Sequence, residues 1–219
     1  MLDTIYLPKL NNLRPTMDST LWKAMEEAGE LARAVLKFLP YEHLSPQAVA
    51  GHDYAAGLLN DVSEELLDVA QTCVTMIFVM EDFYQVRADA LIGAHLTKLQ
   101  DKGYRYDSSK SYCIATVGNF KSLNLPRLSL EQVTLLTTVC KIQEEIGELT
   151  QYLGKQAGAS GEVSRLSESE VLTGCAQELL DVAQCCFTMM YILAEQYAVD
   201  MEKLLNGHVA KLRRKGYCA

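Results

Sequence analysis

Glu65-Leu-Leu-Asp-Val-Ala-Gln71 recurs letter for letter as Glu178-Leu-Leu-Asp-Val-Ala-Gln184, and each copy follows a Glu-Glu-x-x-Glu: Glu26, Glu27 and Glu30 in the first, Glu144, Glu145 and Glu148 in the second. A chain that repeats its motifs at long period is built from repeated structural units, so the repeat is read before anything else. Upstream, Leu7-Pro-Lys-Leu10 matches Leu125-Pro-Arg-Leu128 and Glu27 matches Glu145, both at an offset of 118 residues. Beyond the middle of the unit the offset drops to 113, pairing Glu65 with Glu178, His95 with His208 and Lys102-Gly-Tyr104 with Lys215-Gly-Tyr217. The first copy therefore carries five extra residues between its two acidic motifs. Surface connections tolerate such an insertion and packed helices do not. The division that follows is a first repeat over 1–106, a join over 107–124 and a second repeat over 125–219.

The rest of the pattern is helical. Leu21, Trp22, Met25, Ala28, Leu31, Ala32 and Val35 form one stripe of an amphipathic helix predicted from Asp18 to Phe38. Its counterpart is expected to start at Ser129, where Gln132 completes a capping-box pattern, and to run to about Gly154; Ser167 with Glu170 opens the next helix, which should reach Tyr197. A third helix per repeat, near 86–102 and 199–215, ends at a glycine, and Ser45-Pro46 suits the start of a short extra helix in the longer loop. No alternation of useful length suggests a strand. The expected fold is all-α, with three main helices per repeat.

Composition narrows the function. A formal net charge of −8 argues against a general nucleic-acid or anionic-membrane binder. The most apolar stretches, 69–80 and 185–194, are too short to span a bilayer, and Met1 to Leu10 has no signal-peptide pattern. Seven cysteines without C-x-x-C spacing suit a reducing, cytoplasmic setting, with Cys185 and Cys186 as buried small hydrophobes.

On a helix, residues three apart share a face, so Glu27 with Glu30 and Glu65 with Asp68 form carboxylate pairs, and two facing helices would aim all four into one pocket. Glu145, Glu148, Glu178 and Asp181 repeat the set. Oxygen-only ligation of this kind selects Mg²⁺, or Mn²⁺, over zinc. A single Glu-Glu-x-x-Glu is commonly just a solvated face. Two copies, each followed by carboxylates on a strongly apolar helix, are a different matter, because charge beside a core is costly unless paired or bound to metal.

This order of motifs resembles the MazG-like, all-α nucleoside triphosphate pyrophosphohydrolases, relatives of dimeric dUTPases and phosphoribosyl-ATP pyrophosphohydrolase, once per repeat over nearly the whole chain. The resemblance implies Mg²⁺ ligands at Glu27, Glu30, Glu65, Asp68, Glu145, Glu148, Glu178 and Asp181, with Glu30, Glu65, Glu148 and Glu178 as the catalytic choices. It implies phosphate-holding cations at Lys98, Lys102, Lys211, Arg214 and Lys215. Hydrolysis of a (d)NTP or modified nucleotide would yield the monophosphate and pyrophosphate. Single-unit members form symmetric dimers, so the two copies are expected to pack as an internal pseudo-dimer in one helical bundle, basic residues of one half serving acids of the other; whether the fused chain also homodimerises is left open. The spacings between acidic motifs, 31–64 and 149–177, exceed the family's usual ones. Two other readings stand beside this one: a non-catalytic, metal-dependent nucleotide-binding or sensing module, and a plain helical scaffold. His95 and His208 are read as helix-surface or packing residues rather than catalytic bases, and Trp22, a candidate for base stacking, is read as core packing.

Overall fold

A computed structural model describes residues 4–156, 158, 161 and 166–219, with residues 155 and 156 described by backbone alone. The chain is mostly helical, as expected. Helix α1 covers Met17–Phe38, α2 Pro46–Ala50, α3 Asp53–Tyr84, α4 Ala88–Asp101, α5 Leu135–Gln156, α6 Glu168–Tyr197 and α7 Met201–Arg214, with a short 3-10 turn at Leu39–Tyr41. The second copy's loop between its acidic motifs falls largely outside the described residues.

The helix ends follow from local chemistry. Ser167 and Glu170 form the reciprocal capping box that the sequence announces, and Ser45 caps α2 through Ala48 N. Helix α5 starts six residues later than Ser129 suggests, since Thr134 and Thr137 exchange the capping bonds instead. The first helix is capped the same way by Thr16 and Ser19. Both long helices end on a left-handed residue that is not glycine, Gln85 (φ 56°) and Ala198 (φ 57°). That conformation costs roughly 1–2 kcal/mol outside glycine, and here it turns the chain directly into α4 and α7.

Packing explains why the apolar part of the repeated heptapeptide is kept. Leu66, Leu67 and Val69 on α3, and Leu179, Leu180 and Val182 on α6, are fully buried, in a core where α1 packs on α3, α5 on α6, α3 on α6 and α1 on α5. Burying each such side chain contributes about 1.5–3 kcal/mol. The glutamine that closes each heptapeptide ties its helix to the chain just before the repeat's first leucine-proline turn is complete: Gln71 donates to the carbonyl of Pro8 and Gln184 to that of Pro126, both at 2.9 Å. The residue after each proline then pairs with the end of the same helix, Lys9 with Asp82 and Arg127 with Glu195.

The third helices do not stay with their own repeat. Helix α4, from the first copy, packs on α6 of the second, and α7, from the second, packs on α3 of the first. This exchange sets the composition of both acidic sites.

Two expectations need correcting. A three-stranded antiparallel sheet exists, with strands β1 (Ile5–Pro8), β2 (Cys113–Val117) and β3 (Phe120–Asn124) in the order β1-β3-β2. Leu123 of β3 faces Ile5 on one side and Ile114 on the other. Much of the join over 107–124 is therefore a folded hairpin, turning at Gly118 (φ 59°). It escapes a pattern search because three consecutive residues of β3, Lys121, Ser122 and Leu123, are buried, so no two-residue period appears. Lys121 is only 1% exposed; its ammonium bonds Glu81 at 2.5 Å and Thr116 at 2.7 Å and lies 4.5 Å from the Phe78 ring centre. The other correction is Trp22, which is 68% exposed and belongs to no core. The cysteines behave as expected for Cys186, which is buried, while Cys185 is half-buried.

Candidate metal and phosphate sites

Helices α1 and α3 bring the first copy's acids together. Carboxylate oxygens of Glu27, Glu30 and Glu65 lie within 4.8 Å of one another. Asp68, one turn below Glu65, faces α7: Lys211 Nζ bonds its Oδ2 at 2.7 Å, and His208 Nδ1 stands 3.5 Å from its Oδ1. In the second copy, oxygens of Glu145, Glu178 and Asp181 gather within 4.8 Å, and Glu148 stays outside that group, exposed. Here α4 supplies the partners. Lys98 hydrogen-bonds Asp181 and approaches Glu178 to 3.7 Å, and His95 Nδ1 lies 3.0 Å from Asp181 Oδ1. Each acidic set is thus faced by a lysine and a histidine from the other repeat.

A further cation escaped the sequence reading. Lys23 bridges Glu26 (3.1 Å) and Glu27 (2.5 Å), and Lys141 bridges Glu144 (2.9 Å) and Glu145 (2.6 Å). The signal was present, since a lysine four residues before each buried glutamate shares its helix face. Of the other basic candidates, Arg214 lines a cavity of about 590 Å³ together with His208 and Lys211, which face Asp68, although none of the first cluster's acids lines it. Lys102 lines a different cavity, of about 320 Å³, that reaches Glu145 and Asp181. Lys215 lines neither cavity, and its ammonium lies 5.8 Å from the Tyr217 ring centre.

Electrostatics mark these groups as perturbed. Burial pushes the Glu27 carboxyl upward, against the pull of Lys23. Glu65 is raised by burial and then by its neighbours Glu30 and Asp68. Glu178 is pushed up to about 7, chiefly by burial, while Asp181, despite its burial, is held below its usual range by His95 and Lys98. His208 is lowered to about 4 by burial, which outweighs Asp68. Titratable groups displaced by burial and by specific charge partners mark both clusters as candidate sites.

The donors suit a hard divalent cation. Every group in the two clusters offers carboxylate oxygen, and Glu145 Oε2 and Glu178 Oε2 are buried with no hydrogen-bond partner among the described residues. Such orphaned anionic oxygens cost free energy that an Mg²⁺ ion would recover. Both histidines keep a buried Nε2 without a partner as well. They are interior residues, not helix-surface ones, and they face the acids rather than an apolar core.

No protein-family model, curated protein or solved structure matches the chain. Among the described residues no helix is long and apolar enough to cross a membrane.

Proposed function

We propose that the chain is an Mg²⁺-dependent nucleoside triphosphate pyrophosphohydrolase. The observation that carries this reading is the convergence, at both copies, of acids from two facing helices with a lysine and a histidine delivered by the other repeat. Acids suited to hard cations, set against cations suited to phosphate oxygens, form the two halves of a site for a metal-bound polyphosphate. Bound Mg²⁺ would screen the phosphate charge and lower the pKa of an attacking water.

The protein's own groups supply the rest. Lys211, which faces Asp68 from α7, and Arg214, one turn further along the helix, hold phosphate oxygens as negative charge shifts onto the leaving group. Glu65, whose proton affinity is raised, accepts the proton of the water that attacks the α-phosphorus. The new bond joins that water's oxygen to the α-phosphorus; the bond from the α-phosphorus to its bridging oxygen breaks, and the electron pair leaves with pyrophosphate. Glu30 lies within 4.8 Å of Glu65, close enough to hold the same cation. In this reading the two copies form an internal pseudo-dimer, which the reciprocal exchange of α4 and α7 supports.

The decisive experiment is a nucleotide panel with product identification, run with Mg²⁺ and with chelator. Mg²⁺-dependent pyrophosphate and a nucleoside monophosphate are expected from some member. No release from any member, or orthophosphate as the product, overturns the assignment.

A further inference from the structure

The two acidic clusters carry the same residues and differ in access. In the first, Glu65 and Asp68 are half-buried, and His208 and Lys211, which face Asp68 from α7, also line the 590 Å³ cavity. In the second, their equivalents Glu178 and Asp181 are 5% and 6% exposed. Lys211 bonds Asp68, whereas Lys98 approaches both acids of its pair. One ammonium reaching two carboxylates already offsets part of the charge that a cation would meet, while Glu145 Oε2 and Glu178 Oε2 stay without a hydrogen-bond partner.

The surroundings point the same way. One turn beyond Lys211, on the same face of α7, stands Arg214; one turn beyond Lys98 stands Asp101, a carboxylate where a phosphate would need a cation. On α5, Tyr152 replaces the small Ala34 of the first copy, and its ring lies over Gly174, which replaces Asp61. The ring leaves so little room that a Cβ at Gly174 would come within 2.5 Å of it. The 320 Å³ cavity does reach Glu145 and Asp181, but its lining includes Glu131 and a Lys141 already paired to Glu144 and Glu145.

We propose that the chain binds one nucleotide rather than two: the first copy's acids with α7 form the substrate site, Arg214 marks it for polyphosphate, and the second copy's cluster is closed by Lys98. This rests on the pyrophosphohydrolase reading. The first site takes a metal-bound nucleoside triphosphate whose phosphates lie between Glu65 and Arg214.

The test is equilibrium titration of the intact chain, in Mg²⁺, with a panel of α,β-methylene nucleoside triphosphates, which bind without turnover. The wild type should bind one analogue per chain. Arg214→Asp should weaken that binding at least tenfold, and Asp101→Arg should leave both stoichiometry and Kd unchanged; both positions are exposed, so folding is spared. Two equivalents per chain, or one equivalent insensitive to Arg214→Asp, overturns the single-site assignment and leaves the hydrolase reading standing. Absence of binding across the whole panel overturns both.

Discussion

Asp68 and Asp181 hold the same place in the repeated heptapeptide, yet the side chain of the first is 22% exposed and that of the second 7%. Each is gripped by a lysine from the other repeat. The difference in depth changes what that lysine does. Around Asp68, solvent screens the pair and leaves room for a ligand. Around Asp181 less of the side chain meets solvent, so the acids depend more on His95 and Lys98 for compensation. Identical letters thus produce an accessible acidic site in one half and a buried ion-pair knot in the other, and the agent of the difference is the residues that flank the motif.

The sharpest way to break this comparison is to remove the two lysines one at a time. Lys98→Met leaves Asp181 and Glu178 buried without their ammonium, and the loss should be about 3 kcal/mol, at the low end for stranding one member of a buried pair because Lys98 itself keeps some solvent contact. Lys211→Met should cost about 1 kcal/mol, the value for a partly exposed pair. Urea denaturation of metal-free protein measures both. Equal losses would show that the two sites do not differ in depth as described.

A smaller effect tests the steric half of the difference. Gly174→Ala drives a methyl group into the Tyr152 ring and should destabilise by about 1–3 kcal/mol, the usual range for overpacking. The counterpart, Asp61→Ala, is at an exposed position and should stay within about 0.5 kcal/mol of wild type. Adding Tyr152→Ala to the glycine variant should recover part of its loss, because the ring is the obstacle. Thermal melts of the three proteins decide it; a harmless Gly174→Ala would mean that the ring moves aside freely.

Part of this was written in the sequence. The spacing of Glu27, Glu30, Glu65 and Asp68 placed carboxylates on facing helices, and the five-residue change of offset located the insertion that holds α2. The idea that each half lends cations to the other is matched by Lys98 on Asp181 and Lys211 on Asp68. Burial was not legible, because it depends on neighbours that differ between the copies at single positions. Ala34 becoming Tyr152 while Asp61 becomes Gly174 is a compensating exchange, a side chain gained where another was lost, and comparing the copies position by position would have exposed it. The hairpin was hidden for another reason. Its buried face is carried partly by Lys121, whose charge is met by Glu81 from a helix far away in the sequence, and no local pattern encodes that partner.

The smallest net effect is the pH dependence of the metal-free protein, where the two sites pull in opposite directions. His208 is lowered from 6.5 to about 4, so between those values the unfolded chain takes up a proton that the folded chain refuses, and stability falls as pH falls. Glu178 is raised from 4.5 to about 7, so over that interval the unfolded chain gives up a proton that the folded chain retains, and stability falls as pH rises. The windows overlap between about pH 4.5 and 6.5, where these two contributions oppose each other in the wild-type profile. Each variant should tilt it. With His208→Asn the decline from pH 4.5 toward 7 should steepen, because Glu178, with the raised Glu27 and Glu65 acting in the same direction, loses its opponent; with Glu178→Gln the decline from pH 6.5 toward 4 should steepen, because His208 loses its own. Urea midpoints measured in chelator across this range read both slopes, and two variants with parallel profiles would show that the histidine of the open site and the glutamate of the closed one are not opposed. Mg²⁺ should weaken the decline with rising pH wherever it binds, since a cation favours the ionised carboxylate.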